Sequence, residues 1–600
     1  VKVKAGILLF LYLLVVCMPN VSNGAHPDSD NSATGKRQAE FPVQSSSKSK
    51  KSSVESAIST LPSPIVDSIF SEEHRKALKN EYETSGPYPH CLIKTLCSEE
   101  RLRAVHDELV NNLTANLKES DLFKVYQTCD LANLGRNGVM MDLAEKLPQL
   151  ISLREAIYSQ QFRELVKEVT GCGELSDQVD CATNLHTTSC HLLCHDDVIG
   201  TRKVSYIIYL TSPDEEWKEE DGGALELYPS AGEGIPKIEP SKVILPIFNS
   251  LAMFKVQPGL SFHSVQEVYT EKPRMSIQGW FHGPKDTSTH SMATVNQLIS
   301  KVDNEDPFHD YDDVAGDANA VLTEEDKEEL SSFINSAYLK PDAIGKMLEK
   351  FQEESHILLY DFLSDDVIDC VRELCCEEDR RHKLGQGTIP KYEAGYGEGW
   401  EPIGPPHMRR YLKYDGQPAQ PKKGSSVGAI LQWLKQKFVS APFLRFLKSF
   451  TSLKLLSSKG ECRRFRPGLD YTVAHYGSIC KQGRLNLVWC TVDDQYDGEK
   501  SIRKEKMSKQ DKMDLWSSGD VGGFECYVEA EEETTAEASD VFKMDDDDGP
   551  LLQVLARSNT MSVVLQDNGV MRFVKYLGGN APSSRWDVAI DFKVGDEEQE

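Results

Sequence analysis

Three residues in the middle of the chain have the types and spacing of an open metal site. His195 and Asp197 stand two apart in the string LLCHDD, and His263 follows in SFHSV. Because strand residues two apart point to the same face, we expect the first two side chains to share one face of a strand end, with His263 on a later strand. Two imidazoles and one carboxylate leave coordination positions open, which is the arrangement of non-haem Fe(II) sites.

An arginine follows this triad at the start of another predicted strand. Arg274 opens the alternating stretch RMSIQGWF, eleven residues after His263. A planar guanidinium can hold a carboxylate through two parallel hydrogen bonds, so Arg274 can bind one end of a dicarboxylate beside the metal. The alternative is a zinc site, which would favour a closed tetrahedral set or a nearby catalytic glutamate, and the strings require neither.

The order of these strings resembles that of a known family. LLCHDD, GGALELY and SIQGWFHGP are similar to strings of the 2-oxoglutarate and Fe(II)-dependent dioxygenases, and within them of the ribosomal prolyl 3-hydroxylases. The resemblance includes GPYPHCLIKTLCSEE and GPPHMRRYLKYDG, so it covers roughly residues 65–595. It implies a peptidyl-proline 3-dioxygenase that uses Fe(II), 2-oxoglutarate and O2, with ascorbate as reductant.

The resemblance also implies roles for single residues. His195, Asp197 and His263 would hold Fe(II), and Arg274 would hold the distal carboxylate of 2-oxoglutarate. Family members tend to have a tyrosine about nine residues before the first iron ligand, where this chain has His186, whose imidazole can also donate a hydrogen bond. Further pocket walls are expected from Leu193, Tyr206, Tyr209, Asn249 and Trp280.

Hydrophobic periodicity predicts helices ahead of each group of strands. Residues 62–170 show apolar side chains at three-to-four spacing, and residues 179–284 alternate with a period of two. Thr323 and Asp326 have the spacing of a capping box at the start of a second helical region. Short strands with Gly and Pro turns predict a jelly roll. The expected fold class is α+β, with two double-stranded β-helix domains that each have supporting helices.

The second group of strands repeats the first. GGFECYV corresponds to GGALELY, NTMSVVLQ to NSLAMFKV, and RWDVAIDF to RMSIQGWF. From Asn249 to His263 is 14 residues, and from Asn559 to Phe573 is also 14. Phe573 is therefore expected where the repeat should have its last metal ligand.

The other ligand positions of the repeat are also incomplete. DYTVAHYGS offers His475, but Gly477 stands where the carboxylate is needed. We therefore expect the second copy to be non-catalytic and to orient a protein substrate. The lysine-rich KEKMSKQDKMD and the acidic EAEEETTAEASDVFKMDDDD are interpreted as solvated loops between repeat strands.

Composition suggests where the domains begin and end. The chain has 600 residues, which exceeds the length that a single hydrophobic core usually stabilises. The expected segments are a signal-like leader (1–24), a disordered linker (25–60), a catalytic domain (65–284), an acidic linker (285–320) and a non-catalytic domain (321–597).

Charge restricts the class of partner. The formal net charge of −27 argues against direct nucleic-acid binding, because a chain that follows phosphates has a basic surface. A basic protein would be attracted instead. The resemblance implies a small-ribosomal-subunit protein as substrate, with an effect on translation accuracy or termination.

The leader and the family resemblance point to different compartments. Lys2 and Lys4 precede a run of about fourteen apolar residues, which fits a secretory signal better than a membrane span, and membrane contact is expected only if this leader is uncleaved. The 15 cysteines are too sparse for a disulfide scaffold, and most are expected to be free and buried. The resemblance implies cytoplasm and nucleus.

Three other functions stay open at this point. A secretory-pathway prolyl or lysyl hydroxylase is supported by the leader, although collagen-type prolyl 4-hydroxylases generally have lysine where this chain has Arg274. A demethylating oxygenase of nucleic acid is opposed by the acidity. A non-enzymatic scaffold of two binding domains is disfavoured by the complete first triad.

Overall fold

Two long, curled antiparallel sheets organise the chain. The computed structural model describes residues 61–136, 140–284, 307–311, 320–474, 479–480, 482–494, 507–529 and 550–595. Within them, an eleven-stranded sheet belongs to the first half and a nine-stranded sheet to the second, accompanied by sheets of three and two strands.

The first half contributes thirteen of the described strands. They are β1 (His90–Ile93), β2 (Asn116–Glu119), β3 (Phe123–Gln127), β4 (Asp180–His186), β5 (His191–His195), β6 (Arg202–Tyr209), β7 (Leu225–Leu227), β8 (Ser230–Gly232), β9 (Ile235–Pro236), β10 (Lys242–Ile244), β11 (Leu251–Lys255), β12 (His263–Val265) and β13 (Arg274–His282). The large sheet has the order β1-β11-β6-β13-β4-β3-β5-β12-β7-β10, with β2 beside β3. All of these pairings are antiparallel, and the strand order interleaves early and late strands, as in a jelly roll.

The second half repeats this order. Its strands are β14 (His309–Asp310), β15 (His356–Leu359), β16 (Trp400–Ile403), β17 (Arg409–Tyr414), β18 (Lys454–Phe465), β19 (Tyr471–Thr472), β20 (Arg484–Thr491), β21 (Glu525–Glu529), β22 (Leu552–Val554), β23 (Thr560–Gln566), β24 (Val570–Val574) and β25 (Arg585–Gly595). The run β15-β23-β20-β25-β18 matches β1-β11-β6-β13-β4, and β24-β21-β22 matches β12-β7-β10.

Helices cover one face of each large sheet. In the first half they are α1 (Glu72–Thr84), α2 (Glu99–Asn112), α3 (Met141–Ala144), α4 (Pro148–Ile157) and α5 (Gln160–Thr170). In the second half they are α6 (Glu324–Ser331), α7 (Pro341–Glu354), α8 (Asp365–Arg381), α9 (Val427–Phe438), α10 (Ala441–Thr451) and α11 (Lys509–Ser518). Short 3-10 helices span Asp67–Phe70, Glu219–Asp221 and Ser336–Leu339. One large apolar core lies between the helices and the sheet in each half.

The local signals of the sequence are confirmed at one helix start. Thr323 accepts a hydrogen bond from the Asp326 backbone N–H, and the Asp326 carboxylate accepts one from the Thr323 N–H, which is a capping box. Arg445 pairs with the same carboxylate and ties α10 to this helix start.

Two stretches differ from the sequence-based expectation. Residues 62–170 were expected to be mainly helical, but they also contain β1, β2 and β3. β1 and β3 find antiparallel partners far along the chain, in β11 and β4, and β2 pairs with the neighbouring β3. The lysine-rich insertion contains α11 rather than a solvated loop. Lys512 of that helix is buried and pairs with Asp493 at 2.6 Å.

Several expectations about segments lie outside the described residues. The leader, the following linker and the acidic insertion are among them, as is most of the 285–320 linker, of which His309 and Asp310 pair with β18. In the described part of the chain, no helix has the length and apolarity to cross a bilayer. Every described cysteine is a free thiol, and most are buried, as predicted.

Candidate active site

Neighbouring strands bring the three predicted metal ligands together. His195 ends β5 and His263 begins β12, and the two residues are direct partners across that antiparallel pair. Asp197 Oδ1 lies 3.4 Å from His195 Nε2, and its Oδ2 lies 3.5 Å from His263 Nε2. Within the described residues, this is the one group of three His, Cys, Asp or Glu side chains close enough to share an ion. Two imidazole nitrogens and a carboxylate fit Fe(II) with positions left open.

Backbone irregularities, rather than strand alternation, aim these side chains. His263 pairs with His195, but Val265 pairs with Leu192, so β5 has an extra residue, a β-bulge. Asp197 lies beyond the end of β5 with φ of 63°, a left-handed conformation. The expectation that alternation places His195 and Asp197 on one face is therefore corrected: the bulge sets the direction of His195, and the left-handed turn at Asp197 brings its carboxylate to the same side.

Backbone carbonyls fix the orientation of both imidazoles. His195 Nδ1 lies 2.8 Å from the Leu193 carbonyl oxygen, and His263 Nδ1 lies 2.9 Å from that of Ser261. A carbonyl can only accept, so each Nδ1 carries the proton and each Nε2 lone pair is free to face the shared centre.

The carboxylate of Asp197 is positioned from its other side. Trp280 Nε1 donates to Asp197 Oδ2 at 3.1 Å, and the guanidinium of Arg202 stacks over the Trp280 ring at 3.5 Å. Arg202 Nη1 lies 4.0 Å from Asp197 Oδ1. Trp280 therefore orients the Asp197 carboxylate, a contact that a pattern of alternating residues does not predict.

Burial and mutual contact shift the pKa values of the triad. Burial and the neighbouring His195 lower the pKa of His263 to about 4. Burial would raise the pKa of Asp197, but the two imidazoles and Arg202 hold it well below its usual range. Burial opposes charge on His195, and Asp197 nevertheless raises the pKa of that imidazole. The carboxylate is thus ionised and ready to bind a cation.

A second cluster surrounds Arg274 in the same half. The side chain is buried, its Nε donates to the Gly223 carbonyl at 2.5 Å, and a Cβ on Gly223 would lie 2.8 Å from Arg274 Cδ. Arg274 Nη2, Tyr209 Oη and His186 Nε2 are buried and have no hydrogen-bond partner in the structure. Three unsatisfied polar atoms with donor capacity fit a carboxylate of a bound co-substrate.

Geometry assigns the protonation of His186. Its Nδ1 lies 3.4 Å from Arg274 Nη1, which can only donate, so Nδ1 accepts. Burial and the Arg274 charge lower the pKa of His186 well below its ordinary value, so the ring is neutral and Nε2 carries its one proton. His186 can therefore donate a hydrogen bond, as the sequence suggested.

Two other predicted pocket residues, Leu193 and Tyr206, lie elsewhere. Leu193 is turned outward by the bulge and packs with Tyr471, Val473 and Tyr576 of the second half. Tyr206 faces the helices, where its hydroxyl donates to Tyr158 Oη at 3.1 Å. Tyr209 lies three residues after Tyr206 on the same strand, so its side chain points to the opposite face. There it lies near Arg274, whose guanidinium carbon is 5.4 Å from the Tyr209 ring centre.

Asn249 is likewise a structural residue rather than a cofactor contact. Its amide accepts from the Cys97 N–H at 2.9 Å and donates to the Cys97 carbonyl at 2.8 Å. Asn559 makes the same pair of bonds with Leu363 in the second half, at 2.8 and 3.1 Å. Both asparagines have positive φ, so the two halves share the same asparagine contact with a preceding loop.

The second half repeats the contact between an arginine and a Gly-Gly carbonyl, and no group of metal ligands lies among its described residues. Arg585 donates to the Gly523 carbonyl, as Arg274 does to Gly223, but it also binds Asp587 at 3.0 Å. His475 and Gly477 lie outside the described residues. For Phe573 the expectation was wrong, because its side chain packs in an outward apolar cluster.

The inward residue of the second copy is Arg572. His263 pairs with Leu227 and Val265 with Leu225, whereas Arg572 pairs with Tyr527 and Val574 with Glu525. Leu227 and Tyr527 each follow the second glycine of their Gly-Gly pair by four residues. The register therefore matches Arg572, not Phe573, to His263.

Comparisons with known proteins cover both halves. A family model described as 2OG-Fe(II) oxygenase superfamily matches residues 181–282, and one described as oxoglutarate and iron-dependent oxygenase degradation C-term matches residues 325–600. The chain is 36% identical over 541 residues to the prolyl 3,4-dihydroxylase OGFOD1 of Ostreococcus tauri, covering 88% of this chain and 100% of that protein. It is 26% identical to the prolyl 3-hydroxylase sudestada1 of Drosophila melanogaster, covering 84% and 82%.

Solved structures are similar over shorter stretches. The Pseudomonas putida prolyl-4-hydroxylase matches with 19% identity and a TM-score of 0.25, over 35% of this chain and 99% of that one. A prolyl hydroxylase of Trichoplax adhaerens, solved with a hypoxia inducible factor peptide fragment, matches with 17% identity and a TM-score of 0.26, over 35% of this chain and 90% of that one.

Proposed function

Because the chain belongs to the prolyl 3-hydroxylase family of 2-oxoglutarate and Fe(II)-dependent dioxygenases, we propose that it hydroxylates C3 of a prolyl residue in a small-ribosomal-subunit protein, with an effect on translation accuracy or termination. Enzymes of this family use Fe(II), 2-oxoglutarate and O2 and act on a protein substrate. The ribosomal identity of that protein, and ascorbate as reductant, are part of the proposal.

One observation carries this function. The His195, Asp197 and His263 ligand atoms converge on a shared centre, and the same half holds a buried guanidinium with an unsatisfied Nη2. A dioxygenase of this class needs both parts, an open three-ligand metal site and a clamp for a dicarboxylate. Neither a scaffold nor a structural metal site requires the clamp.

The protein's own residues bind, orient and exclude water. His195, Asp197 and His263 would hold the iron through Nε2, carboxylate and Nε2, and Trp280 keeps the carboxylate in place. Arg274, His186 and Tyr209 would donate hydrogen bonds to the distal carboxylate of 2-oxoglutarate. When bound, iron and 2-oxoglutarate would supply, with O2 as the oxidant, the chemistry that replaces a substrate C–H hydrogen by hydroxyl and yields succinate and CO2.

The two halves have different proposed roles. Residues 65–284 are the catalytic jelly-roll domain and residues 321–597 a non-catalytic one, joined by the acidic linker 285–320. Arg572, at the register position of a metal ligand, pairs with Asp591 at 3.1 Å and with Glu525 at 3.7 Å, and a fixed cation there repels a metal ion.

The formal net charge of −27 supports a basic protein substrate and opposes direct nucleic-acid binding. We place the protein in the cytoplasm and nucleus. A secretory-pathway prolyl or lysyl hydroxylase is the alternative if residues 1–24 are a genuine signal peptide.

Mass spectrometry tests the activity directly. A proline-containing peptide from a basic small-subunit ribosomal protein, incubated with the full chain, Fe(II) and 2-oxoglutarate, should gain about 16 Da on proline, one oxygen atom. Asp197→Ala, or omission of 2-oxoglutarate, should abolish the gain. Comparison of the hydrolysed residue with 3- and 4-hydroxyproline standards assigns the carbon. A gain of about 32 Da would indicate dihydroxylation, and modification of lysine or no gain on any such peptide would overturn the proposal.

A further inference from the structure

The outward faces of the two iron-site strands are covered by the second half of the chain. On β5, Leu193 packs against Tyr471 and Tyr576, and the His191 ring lies 4.2 Å from that of Tyr576. Just after β12, Glu267 Oε2 accepts hydrogen bonds from the Gly579 N–H at 2.7 Å and from Tyr576 Oη at 3.1 Å. The strands that hold the metal ligands therefore contact the second half through their outward faces, in addition to pairing with neighbouring strands along their edges.

A buried carboxylate lies at the centre of this contact. Glu226 of β7 is 3% exposed, and its Oε2 accepts hydrogen bonds from Ser264 Oγ at 2.8 Å, Tyr392 Oη at 2.8 Å and Tyr228 Oη at 3.3 Å. Ser264 directly follows His263 and is the register partner of Glu226. One oxygen therefore links β7, the metal-ligand strand and the second half.

Within the second half, contacts with Arg410 restrain Tyr392. Arg410 donates to the Leu469 carbonyl at 2.9 and 2.6 Å, and its guanidinium carbon lies 5.0 Å from the Tyr392 ring centre and 5.2 Å from that of Tyr471. Arg410 Nη1 also lies 3.5 Å from Tyr228 Oη. A cation between two aromatic rings restrains both of them.

β12 needs such support because it is short. It has three residues, and its pairing with β5 is interrupted by the bulge. The pairing with β5 therefore supports His263 less than the pairing with β7, which is in regular register. A buried carboxylate is costly unless it is hydrogen-bonded, and Glu226 is bonded to the residue that follows His263.

We propose that Glu226, held by Tyr392 of the second half, is a positioning residue that fixes β12 through Ser264 and so presets His263 for the metal. The second half then tightens the iron site itself, in addition to any role in presenting substrate. This inference rests on the proposed function, because it takes the triad as an iron site.

Metal titration of the full-length apo protein tests this role without turnover. Co(II) binding is followed by visible absorption, and anaerobic Fe(II) binding by calorimetry. Tyr392→Phe keeps the ring on which Arg410 packs and removes only the hydroxyl, so we expect metal affinity to fall about tenfold. Glu226→Leu should weaken affinity more, and Glu226→Gln, which still accepts hydrogen bonds, should retain most of it.

Tyr411→Phe is the matched control. Tyr411 is a buried tyrosine of β17 whose hydroxyl donates to Glu461 Oε2 at 2.7 Å, inside the second half. It should leave metal affinity unchanged, with circular dichroism confirming that all proteins are folded at the titration temperature. Wild-type affinity in Tyr392→Phe, or an equal loss in Tyr411→Phe, would overturn the inference. If the wild type itself fails to bind one metal ion, the proposed function fails instead.

Discussion

Arg572 occupies, in the second sheet, the register position that His263 occupies in the first. Its guanidinium lies 3.1 Å from Asp591 and 3.7 Å from Glu525, so a fixed cation and two carboxylates fill the place that corresponds to a metal ligand. At this position the second sheet therefore has an internal ion-pair network.

Arg572→Leu should therefore destabilise the protein without changing its metal content. Removing Arg572 takes one charge partner from Asp591 and leaves buried Glu525 with Arg463 at 3.9 Å, a loss that costs about 3 kcal/mol. Urea unfolding measures the loss, and metal analysis should give one Fe(II) per chain in wild type and variant alike. Two irons in the wild type would show that the second copy is a working site.

Trp280→Phe should weaken iron binding while the fold stays intact. The variant loses the N–H that holds Asp197 Oδ2, and removal of such a partner of a metal ligand typically costs 10–100-fold in affinity. Trp516→Phe is the control, because Trp516 also donates an indole N–H, to the Asp493 carbonyl. Equal metal affinity in the two variants would contradict an orienting role for Trp280.

Arg274→Lys should separate co-substrate binding from metal binding. The lysine keeps the charge but not the fork, and loss of about 2 kcal/mol of charged hydrogen bonding is roughly a thirtyfold rise in KM for 2-oxoglutarate. Iron content should be unchanged, since Arg274 is not among the clustered metal ligands. An unaltered KM would remove Arg274 from the clamp.

The free energy of unfolding should depend on pH through Glu267, which lies where the two halves meet. Burial raises its pKa from 4.5 to about 7, against hydrogen bonds from the Gly579 N–H and the Tyr576 hydroxyl and the charge of Lys124. Because the folded state favours the protonated acid, this stabilisation is present in full below about pH 4.5 and is lost as pH rises through about 7.

The difference between wild type and Glu267→Gln isolates this effect. From pH 5 to pH 8 the wild type should lose on the order of 3 kcal/mol more unfolding free energy than the variant. Urea midpoints at each pH measure it. Parallel pH profiles would show that Glu267 is ionised at little cost in the folded protein.

The sequence by itself determined the chemistry and the order of elements. The residue types and spacing of His195, Asp197 and His263 specified an open metal site, and the capping pattern at Thr323 specified a helix start. The repeated Gly-Gly and Asn strings predicted that the second sheet follows the first. These are local or ordered signals, which residue identity and spacing express directly.

Tertiary structure decided which way each side chain faces. A single bulge in β5 turns Leu193 outward and His195 inward, and a left-handed Asp197 completes the triad. Equal spacing from Asn559 suggested Phe573, but strand pairing puts Arg572 inside. Because side chains alternate along a strand, a one-residue shift in register reverses every face, and register is fixed by partners far along the chain. For the same reason no local pattern could show that Tyr392 reaches Glu226 on β7, beside the strand of His263.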